Sequence, residues 1–209
     1  MNATRTESQA TIVGGNKIQQ NLALIPLGIA LNLALGTLVH ILKLPVYVDA
    51  VGTIAVTLLV GLRAGIIVGV LSFLIGGVLV NPVLPWFSGT QAVIAIYSHI
   101  AARKGGFKTV PRTILVGIGL GIVAAVVSAP VIVYLFGGIT GSGASLIVAF
   151  LLASGKSVLK SVILSGLAAE PLDKTIQCLL AVWLLKGLPQ SLLSRFRDGS
   201  LEENNLVRK

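Results

Sequence analysis

Leu44 to Pro82 read LPVYVDAVGTIAVTLLVGLRAGIIVGVLSFLIGGVLVNP, and in these 39 residues the only charges are Asp49 and Arg63. Two apolar runs separated by one arginine leave few folds open. In lipid every backbone N–H and C=O must find a partner within the protein, which restricts spanning structures to helices and closed barrels. Barrel strands alternate apolar and polar residues over roughly ten positions, and no such alternation occurs here. The rest of the chain agrees. Of 209 residues, 55% are hydrophobic and 11% charged, against about 25% charged in a soluble domain. The expectation is an all-α integral membrane protein.

A spanning helix takes roughly 20 apolar residues. Six runs approach that length: 22–42, 46–62, 64–80, 86–102, 113–136 and 172–188. The expected architecture is a six-transmembrane-helix bundle over residues 22–190. A polar tail at 1–21 and a basic tail at 191–209 are both expected in the cytosol. Between the fifth and sixth runs, GGITGSGAS opens a long connection. SLIVAFLLASGKSVLKSVILSG follows, with Lys156 and Lys160 four apart on one presumptive helix face. The apolar run before Gly155 is too short to cross, so residues 144–168 are expected as an amphipathic interfacial or re-entrant segment.

Basic residues set the orientation. With the N-terminus inside, twelve Lys and Arg fall on the inner side, including the ARKGGFKTVPR cluster, and four on the outer. This is the positive-inside asymmetry. It accounts for the net charge of +9 without nucleic acid.

No catalytic pattern is present. The chain has no G-x-S-x-G elbow, H-E-x-x-H pair or P-loop. His40 and His99 fall toward opposite sides of the membrane. Cys178 is the only cysteine, so neither an internal disulfide nor a cysteine-rich metal site is available. The expectations are no enzyme activity, no metal and no cofactor on this chain, with any ATP coupling supplied by a partner.

Polar groups collect instead on the outer side. Asp49 starts the second run, either as a cap on its helix or as the rim of a pocket. Asn81 and Trp86 stand in the stiff VNPVLPWFSGTQ connection, where the Trp86 ring could anchor the interface or stack on a flat ligand. Gln91 lies a turn inside the fourth run and needs a partner there. AEPLDKT brings Glu170, Asp173 and Lys174 together. The candidate substrate-binding residues are therefore Asp49, Asn81, Trp86, Gln91, Glu170 and Asp173. The inner halves of the second, third and fifth runs are nearly all apolar, so no polar path crosses the bundle. Such a chain binds a small molecule without an evident way to conduct it. Glycines recur at helical spacing (Gly28 and Gly36; Gly61, Gly65 and Gly69; Gly117 and Gly121), which suits close packing of helices in lipid. Ala30 and Ala34 form a small-xxx-small pair on the first run, beside Asn32, whose amide could bond across an interface.

In length, hydropathy and placement of Gly and Pro, residues 22–190 resemble the substrate-binding S component of energy-coupling factor (ECF) transporters. Leu44–Pro82 carries most of the likeness, and GGITGSG with EPLDKT is similar to one branch of that superfamily. The resemblance implies a subunit of a prokaryotic plasma membrane importer that captures a vitamin or related micronutrient from outside. It implies as partners a transmembrane coupling protein and two ATP-binding cassette ATPases, with Ala30 and Ala34 as the docking pair. A membrane sensory module that binds a small ligand without transport is the alternative.

Overall fold

The computed structural model describes residues 23–188; the tails expected at 1–21 and 191–209 lie outside them. Among the described residues there are seven α-helices and no strand. They are α1 (Ala23–Ile41), α2 (Val51–Leu59), α3 (Leu62–Leu79), α4 (Ser88–Arg103), α5 (Val110–Phe136), α6 (Ala144–Ala153) and α7 (Val158–Gly187), with one 3-10 turn at Leu84–Phe87 before α4. Of these, α1, α3 and α5 are long and apolar enough to cross a membrane.

The second, fourth and sixth expected runs take other forms. In the second, residues 42–50 are not helical and α2 has 9 residues. At 1.5 Å per residue it is about 14 Å long, roughly half the hydrocarbon thickness. Pro45 brings no N–H to a helix, and Lys43 and Val48 adopt φ of 52° and 49°. The fourth is α4, of 16 residues. The sixth does not begin at Leu172. It belongs to α7, which runs unbroken for 30 residues through Pro171.

The connection between α5 and α7 is therefore not one amphipathic segment. The apolar helix α6 has 10 residues, and Gly155 ends it at φ 81°. Lys156 falls in the break that follows, while Lys160 sits in the first turn of α7. The two lysines do not share a helix face, because Lys156 lies outside α7 and the extended Ser157, at φ −65° and ψ 154°, stands between them.

Close approaches at glycine define the packing. A Cβ at Gly28 would meet Val56 and Val68, and one at Gly36 would meet Asp49. These contacts set α1 antiparallel to α2 and parallel to α3. Gly117 lies against the Thr175 backbone and Gly121 against Glu170 and Pro171, which makes α5 and α7 an antiparallel pair. All these glycines serve contacts inside the bundle.

The turn at Gly61, the connection at 104–109 and the end of α7 share one end of the molecule. Arg63, Arg103, Lys104 and Arg112 are exposed there, so it is the basic end. Between that end and mid-molecule the interior is mainly apolar, with Thr57, Ser98 and Thr113 as buried hydroxyls. Ile54, Leu58, Phe107, Leu120, Cys178 and Ala181 belong to one buried cluster.

Candidate functional site

Half of a helix creates the site. A helix that starts inside the bundle exposes its first N–H groups, and these must be satisfied away from water. Two amides from other helices do this for α2. Asn32 Oδ1 accepts from the N–H of Gly52 at 2.7 Å and of Thr53 at 3.4 Å, and Gln177 Oε1 accepts from the N–H of Ala50 at 2.9 Å. Asn32 Nδ2 donates to Thr53 Oγ1 and Ser72 Oγ at 2.8 and 3.1 Å. Asn32 is thus buried in the bundle and does not face a partner across the surface of α1. Its polarity signalled importance, but only the register of α1 on α2 shows which way it turns.

The extended segment before α2 is held by α7. Asp173 Oδ1 accepts from the N–H of Tyr47 and of Val48 at 2.8 and 2.9 Å, while Asp173 Oδ2 accepts from Lys174 Nζ at 2.6 Å and Gln177 Nε2 at 2.7 Å. Four charge-assisted bonds satisfy this carboxylate, which is fully buried. Val48, β-branched and at positive φ, is a strained residue that this clamp keeps in place.

A cavity of about 120 Å³ lies between the clamp and the connections at the end opposite the basic loops. Phe73, Phe87, Ile94 and Ile132 form apolar walls, and Phe87 stacks on Phe136 with ring centroids 6.2 Å apart. Asn81, Gln91, Asp49, Glu170 and Lys174 all line it. Gln91 is already partnered, accepting from Thr53 Oγ1 at 3.0 Å and donating to the Asp49 carbonyl at 3.3 Å. α2 and the extended segment before it supply those partners, so its amide shapes the wall.

Lys174 lies near the middle of α7 and is almost completely buried. Its Nζ is 2.6 Å from Asp173, 3.3 Å from Glu170 and 3.8 Å from Asp49, and 5.6 Å from the centre of the Tyr47 ring. A buried charge is expensive unless it is paired. Clustering the charges inside protein lowers that cost.

Of the residues expected to bind substrate, Asp49, Asn81, Gln91 and Glu170 meet at the cavity. Asp173 adjoins it as the clamp and does not line it. Trp86, 59% exposed, points out of the 3-10 turn and does not line the cavity. Asp49 is not a helix cap, since Ala50 holds that position and no side chain caps α2 locally. It lines the cavity instead, where the break in the second run brings its carboxylate 3.8 Å from Lys174 Nζ. Ala30 and Ala34 are exposed on the outward face of α1, in line with Leu27, Leu38 and Ile41, which are 55–69% exposed. His40 lines the cavity and His99, on α4, does not.

The chain matches no protein-family model, and no curated protein or solved structure matches it. The likeness to ECF S components stands on the residues quoted above.

Proposed function

We propose that the chain is a substrate-capturing membrane subunit of the ECF importer type. It takes a vitamin or related micronutrient into the cavity from the outer face of a prokaryotic plasma membrane. It then delivers the molecule to the cytoplasm together with a transmembrane coupling protein and two ATPases, which bind the ATP. The observation that carries this reading is a cavity at the end opposite the basic loops whose floor is closed. Below Asn32 and Gln91 the interior is the apolar cluster around Ile54, Leu58 and Leu120. A site that is polar on one side and sealed on the other suits capture, with release left to a movement driven by partners.

Two further features support it. The basic end matches the positive-inside pattern, which supports a cavity that opens outward. The outward face of α1 offers Ala30 and Ala34, small enough for a second helix to approach closely.

The test is mass spectrometry of small molecules released from the detergent-purified chain, repeated across growth media. One recurring compound is expected, and adding it back should raise the melting temperature by mass action. Preparations that carry nothing, together with no shift from any vitamin, would overturn the reading.

A further inference from the structure

We infer that the cavity takes an organic cation with N–H donors, such as a protonated amine or amidine, held between Asp49 and Glu170; this rests on the capture reading and narrows it to a substrate class. Three carboxylates surround one ammonium. Asp173 and Lys174 are the matched pair, at 2.6 Å, and Asp173 spends its remaining capacity on Tyr47, Val48 and Gln177. The other two carboxylates sit farther from that ammonium. Asp49 stands 3.8 Å from Lys174 Nζ, beyond hydrogen-bond length. Glu170, 7% exposed, lies 3.3 Å from the same nitrogen, yet its Oε2 has no hydrogen bond.

Both of these residues line the cavity. A buried carboxylate oxygen without a donor is a costly exception in a folded protein. Here two acceptor groups face the same hollow, in a cluster with a surplus of carboxyl groups, three to one ammonium. A ligand cation supplies what both lack, a countercharge and N–H donors, and charge-assisted bonds of this kind are the strong ones. A neutral ligand would supply donors without the charge. An anion would add to the surplus in a setting where like charges repel strongly. The apolar walls from Phe73, Phe87 and Ile132 fit the rest of a small ring-bearing molecule.

Three probes of one shape separate these cases: benzylammonium, benzyl alcohol and benzoate, titrated into the detergent-purified full chain and read by thermal shift and calorimetry. Benzylammonium is expected to bind at least tenfold tighter than either other probe. Asp49→Asn and Glu170→Gln should each weaken it about tenfold or more, as when one member of a buried charge pair is lost. Trp86→Ala should leave it unchanged. Benzylammonium binding that is absent, or no tighter than that of benzyl alcohol or benzoate, overturns the inference, and this comparison holds on the unaltered chain even where a variant fails to fold. The molecule released from the purified chain separates the two readings. A neutral or anionic compound keeps capture and discards the cation. Selective binding of benzylammonium by a chain that carries no native compound keeps the cation site and removes capture.

Discussion

Asp173 accepts the backbone N–H of Val48, 125 positions earlier in the chain, at 2.9 Å. One α7 side chain thereby fixes the strained turn from which α2 starts. The neighbouring carboxylate on the same helix, Glu170, instead faces the cavity with an oxygen to spare. Spacing along AEPLDKT does not distinguish the two roles. They part because residues three apart on a helix lie about 60° apart round the axis and about 4.5 Å apart along it, and only Asp173 reaches the N–H groups of the segment at 44–50.

Asp173→Ala is therefore expected to act on the fold. It strips two backbone N–H groups and Lys174 of their partner, and breaking a buried pair from one side costs about 3–5 kcal/mol. Thermal melts in detergent should show a drop of several degrees or a failure to fold. An unchanged melt would refute the clamp.

Asn32→Ala should also destabilise, by about 1–3 kcal/mol, since it leaves the N–H of Gly52 without its acceptor in a dry setting. If Asn32 served an intersubunit contact instead, the isolated chain would melt normally and only assembly would suffer.

Glycine substitutions test the packing of α5 on α7. Gly121→Ala places a methyl against the backbone of Glu170 and Pro171, with an expected loss of about 1–3 kcal/mol from overpacking. Gly89→Ala, in the first turn of α4, meets nothing within 4 Å and should be neutral or gain about 0.5–1 kcal/mol. Chemical denaturation of the two variants side by side checks the difference.

Ala30→Trp should leave the melting temperature of the isolated chain within about a degree, because Ala30 is exposed on the outward face of α1. Co-purification with the coupling protein and ATPases should be lost. Intact assembly would remove α1 as the docking face.

Trp86→Ala should change affinity for the compound released from the chain by less than about twofold, because the ring lies outside the cavity. A tenfold loss would place the ring in the site after all.

The two prolines within VNPVLPW and the small residues of the first run drew attention for different reasons, and their outcomes differ. The rigid connection does bring Asn81 to the cavity, but it turns Trp86 away, since a 3-10 turn sends successive side chains about 120° apart. Ala30 and Ala34 share an outward face, as their spacing of four requires. Asn32, two residues from each, falls on the opposite side and joins the core.

Composition and hydropathy alone pointed to a helical membrane protein with basic connections at one end and with Asp49, Glu170 and Asp173 away from them. These are local or summed properties, and burial in lipid enforces them residue by residue. Tertiary structure decided that the second run breaks at Asp49, that α7 absorbs the segment read as separate, and which carboxylate clamps and which faces the cavity. Those outcomes turn on where unsatisfied backbone groups find partners more than a hundred positions away. That depends on the register between helices, which no local pattern of residues encodes.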